Sequence, residues 1–204
     1  MKSVICGDSI SMIKPAIGDQ MTTTASKIGR KYTWDDYKNW PDGERWEIIN
    51  GEAYSMTPAP TTKHQRISMQ MTTSLVNYFR GKPCEPFYAP TDVVLDESNI
   101  VQPDLIVVCD KNKITEANIQ GAPDLIIEIL SPSTSLKDKR EKKDVYERFG
   151  VKEYIIVNPM DDTVERYILE GGQYGRQDIF NWDEVFASKI FPGLEIELKE
   201  VFGR

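Results

Sequence analysis

The sequence predicts an α/β or α+β protein in which a sheet of buried strands is sandwiched by helices. "PDLIVV" at 103–108 and "PDLIIEIL" at 123–130 are short, rich in β-branched residues and apolar on both faces, as strands covered on each side must be. Ile67, Met71, Leu75 and Phe79 recur every fourth residue, which marks an amphipathic helix turned toward a core. With 204 residues, 40% of them apolar and 28% charged, the chain has enough material for one globular domain. It contains no run of ~18 apolar residues that would span a membrane.

Residues 1–31 show no sustained period and no clean apolar segment with a cleavage site, so they are expected to form a loosely ordered extension before a domain at 32–204. Within that domain, Thr33 with Asp35 and Asp36 behind it predicts a capped short helix. Asn50-Gly51 predicts the turn of a hairpin in "RWEIINGEAYSM". The long helix follows, then the strands "APTDVVLD", "PDLIVVCD" and "PDLIIEIL". "TSLKDKREKKDVYERFG" reads as a helix stopped by Gly150, and "EYIIVNP" as another buried strand. "TVERYILEGGQY" should turn near Gly171-Gly172, and "FPGLEIELKEVF", with alternating Leu194, Ile196 and Leu198, should close the chain as a strand.

One residue conflicts with its surroundings. Glu128 lies in the middle of an apolar strand, where an ionised group must be paired with a base or bound to a cation. Asp124 shares its strand face but sits about 13 Å away at ~3.3 Å per residue, too far to share an ion. If strands 104–108 and 124–130 run antiparallel, Asp104 falls opposite Glu128 while Val108 falls opposite Asp124. Two such carboxylates repel unless a cation lies between them, and oxygen ligands favour Mg²⁺ or Mn²⁺. A lysine nearby would orient or deprotonate an attacking water. Lys142 is the choice, because Lys142, Tyr146 and Phe149 share one helix face. Lys139 and Lys143 should look toward solvent or substrate.

Pro103-Asp104, Glu128 on the next strand and a lysine beyond it resemble the PD-(D/E)xK nuclease superfamily. The ordered set "RWEIINGE", "TKHQ", "VQPDLIVV", "APDLIIEILSPST", "KDKREKKDVYERFGVKEYIIV" and "FPGLEIEL" resembles, more narrowly, the Uma family of restriction-endonuclease-like proteins, over about residues 32–202. The resemblance implies a restriction-endonuclease-like fold, a mixed sheet flanked by helices with added hairpins, and a divalent-metal nuclease acting on DNA. It assigns Asp104 and Glu128 to the metal, Lys142 to catalysis and Glu47 to an upstream acid that joins the site. Leu130 stands where the superfamily's usual lysine would be, so the lysine must come from the helix, a relocation the Uma family shares. Cutting two strands needs two sites, so a homodimer is expected.

Other features read in less specific ways. The net charge is −7, and the extension carries +3 of base, leaving −10 on the domain, which opposes general nucleic-acid binding. "KDKREKK" at 137–143 is the local exception, either a solvated helix face or a DNA contact. That charge balance and Leu130 keep open an inactive relative, a nuclease fold retained for binding or oligomerisation. His64, the lone histidine, is expected to make a helix-start or packing contact, without a catalytic role. Cys6, Cys84 and Cys109 lack metal-ligand spacing, from which reduced thiols and a cytoplasmic setting are expected.

Overall fold

The computed structural model describes residues 30–41, 45–56, 59–132 and 135–204, so all but the end of the expected extension lies outside the described residues. In chain order the elements are α1 (Trp34–Tyr37), β1 (Trp46–Ile49), β2 (Glu52–Ser55), α2 (Thr62–Phe79), β3 (Glu85–Tyr88), β4 (Val93–Asp96), β5 (Asn99–Val101), β6 (Leu105–Val108), β7 (Ile119–Gln120) and β8 (Leu125–Ile129). There follow α3 (Ser135–Lys137), a π-helical turn (Asp138–Lys142), α4 (Lys143–Phe149), β9 (Glu153–Asn158), β10 (Thr163–Glu170), β11 (Gln173–Tyr174), β12 (Asp178–Asn181), β13 (Val185–Ala187), β14 (Glu195–Glu197) and α5 (Leu198–Phe202).

The main sheet runs β11-β10-β9-β8-β6-β3, with β12 also pairing β10. A second sheet runs β2-β1-β5-β4-β7, and β13 pairs β14 separately. The fold is therefore a mixed α+β one in which helices and a second sheet cover the main sheet, as the doubly apolar strands require. Because side chains alternate along a strand, Leu105, Val107, Leu125, Ile127 and Ile129 face one way, against Ile67, Met71, Leu75 and Phe79 of α2 and Leu198, Val201 and Phe202 of α5. Ile106, Val108 and Ile126 face the other way, against Val145 and Tyr146 of α4 and Val93 and Val101 of the second sheet. Glu128 belongs to this second face by the same alternation.

Local signals act as their chemistry dictates. The Asp36 carboxylate accepts from the Thr33 N–H at 3.0 Å and starts α1. Asn50 and Gly51 both take positive φ, 52° and 78°, which lets two residues close the β1–β2 hairpin. Gly150 ends α4 at φ 84°. Trp40 packs edge-on against Trp46, in the small core under β1.

Three expectations are revised. The segment after β8 is not one regular helix, since five residues form a π-helical turn between α3 and α4. The terminal strand stops at Glu197, and Leu198 begins α5 instead of extending the alternation. Cys84 and Cys109 are not free thiols. The register Glu85↔Val108 sets them opposite one another just past the ends of β3 and β6, and they form a disulfide. Sequence spacing conceals this, because 25 residues separate two positions that strand pairing makes neighbours. No helix among the described residues is long and apolar enough to cross a membrane.

Candidate active site

β6 and β8 are antiparallel with Leu105 opposite Ile127 and Val107 opposite Leu125. One more step in that register puts Asp104 opposite Glu128. At the other end, Val108 meets Asp124, as the repeat predicts. The two Pro-Asp turns then do the same backbone job at the two ends of one strand pair. Asp104 Oδ2 accepts the Ile129 N–H at 2.8 Å, and Asp124 Oδ2 accepts the Cys109 N–H at 2.8 Å. They differ in the second oxygen. Asp124 Oδ1 is 2.7 Å from the Lys152 ammonium, whereas Asp104 Oδ1 accepts no hydrogen bond among the described residues.

Lys142 comes down on Glu128 from the second face. Its Nζ lies 2.8 Å from Glu128 Oε1, 2.6 Å from Glu47 Oε1 and 3.5 Å from Asp138 Oδ1, and the residue is 2% exposed. Tyr146, one turn on, donates its hydroxyl to the same Glu128 oxygen at 2.7 Å. Glu47, from the middle of β1, is fully buried. It takes Lys142 on Oε1 and Lys137 on Oε2, the latter at 2.7 Å, and its Oε1 also accepts the Gln102 N–H at 3.1 Å. Three of the four residues chosen from sequence, Glu47, Glu128 and Lys142, thus make direct contact, and Asp104 stands across the strand pair from Glu128.

Sequence reasoning missed Lys137, Asp138 and His64. An i→i+5 turn stacks residues five apart, which lie about 140° apart around an α-helix. The π-helical turn therefore brings Lys137 and Lys142 onto one acid, and no α-helical pattern signals it. Asp138 was within reach of the i, i+4 rule, as the partner of Lys142. His64 Nε2 lies 3.3 Å from Asp104 Oδ2. The basic run mostly turns inward: Lys137 and Lys142 hold buried acids, Lys139 pairs with Glu165, and Lys143 sits over the Tyr167 ring, while Arg140 stays exposed.

The electrostatics follow from this crowding. Burial pushes the Glu128 carboxyl up, Lys142 opposes that, and Asp138, Asp104 and Glu47 push it further, to about 8. Burial acts on Glu47 in the same direction, but two ammonium groups on its two oxygens overcome it and hold the acid at about 2. The same Lys142 contact has opposite net results because Glu47 has a second lysine and Glu128 has three acids instead. Burial would lower Lys142, yet Glu128, Glu47 and Asp138 raise it well above its usual range, so it remains an ammonium. His64 is lowered by burial and raised more by Asp104, for a net rise.

A divalent ion fits this donor set. Asp104 Oδ1 and Glu128 Oε2 accept no hydrogen bonds among the described residues, and the burial and neighbouring acids that disfavour an ionised Glu128 are what a cation would offset. Among the described residues no three His, Cys, Asp or Glu side chains are grouped to cage an ion. Two carboxylates completed by water and substrate phosphate suit Mg²⁺ or Mn²⁺ rather than Zn²⁺.

Residues 34–199 match the family model described as "Uma2: Putative restriction endonuclease". The chain belongs to the Uma2 family. A Synechocystis protein, itself uncharacterized, is 26% identical over 141 residues, covering 67% of this chain and 74% of its own length. The crystal structure of "a putative nuclease belonging to DUF820" from Anabaena variabilis superposes with a TM-score of 0.71 at 20% identity, over 84% of this chain and 97% of that one. That likeness establishes a shared fold. For the Uma2 chain it bears out the restriction-endonuclease-like architecture expected from sequence.

Proposed function

We propose that this Uma2 protein is a divalent-metal-dependent endonuclease that hydrolyses phosphodiester bonds in DNA. The observation that carries the reading is a buried ammonium, Lys142, clamped between Glu47 and Glu128 on the strand directly opposite Asp104. Asp104 and Glu128 would hold Mg²⁺ or Mn²⁺, which when bound supplies charge stabilisation at phosphate and a more acidic water. Glu47 fixes Lys142 from behind. Lys142, kept charged by its acids, orients the attacking water by donating to it and lends positive charge to the phosphate. Tyr146 fixes the Glu128 carboxylate by donating to Oε1, which leaves Oε2 for the ion.

A second reading has an observation of its own. Lys142 is fully engaged by three acids, and Leu130, at the superfamily's usual lysine position, is buried in apolar contacts. An inactive relative would look the same in these respects. Incubation of purified protein with duplex DNA, single-stranded DNA and RNA, with Mg²⁺ or Mn²⁺, separates the two. The endonuclease reading expects DNA cleavage that chelation stops and Asp104→Ala removes. Cleavage that survives Asp104→Ala, or none on any of these substrates, contradicts it.

A further inference from the structure

The buried stripe of α2 is Ile67, Met71, Leu75 and Phe79, and its first member, one turn earlier, is a histidine. His64 sits in the capped first turn, where Thr61 Oγ1 accepts its N–H at 3.2 Å. Its ring is buried with Nε2 3.3 Å from Asp104 Oδ2, while Nδ1 is buried without a hydrogen-bond partner among the described residues. An unsatisfied buried nitrogen is costly, and an apolar residue here would continue the stripe without that cost. Nor does the Pro-Asp turn require an imidazole. Asp124 makes the equivalent backbone bond with no histidine, and its second oxygen goes to Lys152, which is 62% exposed.

We propose that His64 is the positioning residue for Asp104: its Nε2 lies against Oδ2, the oxygen that already accepts the Ile129 N–H, and so turns Oδ1 toward the ion shared with Glu128. This rests on the metal-site reading above. Asp104 and Asp124 begin from the same backbone geometry, and what separates them is where the second partner arrives. At Asp124 a lysine occupies Oδ1 and neutralises it. At Asp104 the imidazole lies against the oxygen already in use, and the other is kept open. Partners that fix a ligating carboxylate in this way are worth roughly 10- to 100-fold in metal affinity.

Calorimetric titration of Mn²⁺ into the full chain tests this, with His64→Leu, His64→Asn, His64→Gln and Asp104→Ala alongside the wild type. The glutamine amide nitrogen reaches the place of Nε2, whereas that of asparagine matches Nδ1 and falls short. Mn²⁺ should bind His64→Leu and His64→Asn about 10- to 100-fold more weakly, and His64→Gln should recover most of the loss. Thermal midpoints of the metal-free variants should not follow that order, with the leucine variant at least as stable as wild type. His64→Leu binding Mn²⁺ like the wild type, or His64→Gln binding as poorly as His64→Asn, overturns the role of His64 alone. A wild type with no Mn²⁺ uptake that Asp104→Ala abolishes overturns the metal-site reading and this inference with it.

Discussion

Lys142→Met should destabilise the folded protein by about 3–5 kcal/mol, the cost of removing one partner from a buried charge network. Three acids lose a shared cation at once. Glu47 keeps Lys137, so the loss falls mainly on Glu128, whose one lysine contact among the described residues is Lys142. The methionine also fills the volume, so the effect is electrostatic and not a cavity. Urea unfolding of wild type, Lys142→Met and Lys142→Met/Glu128→Gln measures it. At pH 9, above the value of about 8 that Glu128 reaches, the double variant should regain a large part of the loss, because it removes a carboxylate left uncompensated. If the single variant loses less than about 1 kcal/mol, the ammonium is not what balances these acids.

Glu128→Gln should have opposite effects on catalysis and on stability. Cleavage should fall more than about 100-fold, since an amide neither neutralises a divalent ion nor replaces a carboxylate ligand. Stability should improve at high pH. An acid whose folded value is raised to about 8 from the 4.5 of the exposed group binds more protons folded than unfolded between those limits. Stability therefore falls as pH rises through that window and stays low above it. Glutamine removes this contribution. The difference in unfolding free energy between Glu128→Gln and wild type, taken in metal-free buffer, should grow by at least ~1 kcal/mol between pH 5.5 and 9, at about 1.4 kcal/mol per unit of separation. Glu47 does not disturb the comparison: held at about 2, it supplies stability that is lost only as pH falls below 4.5. His64 is present in both proteins and cancels. Parallel pH curves would mean that Glu128 carries no excess charge.

Where the sequence could be read directly, it was because a period or a register was at work. The fourfold recurrence from Ile67 to Phe79 located α2, and the repeated Pro-Asp set Asp104 opposite Glu128 on the condition that β6 and β8 run antiparallel, which they do. Lys142 followed from its spacing to Tyr146. Other contacts depend on chain crossings that leave no local trace. Lys137 joins Glu47 only because a π-helical turn replaces a regular one, and His64 meets Asp104 across 40 residues of sequence. Cys84 and Cys109 are joined by strand pairing that residue counting does not see. The basic run misled for a related reason: charge density along the chain says nothing of direction, and its lysines are largely spent on acids of the protein itself.

The central claim is that Asp104 and Glu128 together hold one divalent ion. Anomalous diffraction from a crystal soaked in Mn²⁺ tests it most directly. The account predicts a single strong manganese peak within coordination distance, ~2.0–2.2 Å, of both Asp104 Oδ1 and Glu128 Oε2, with Lys142 still on Glu47. Manganese bound elsewhere, with those two oxygens left without it, would contradict it.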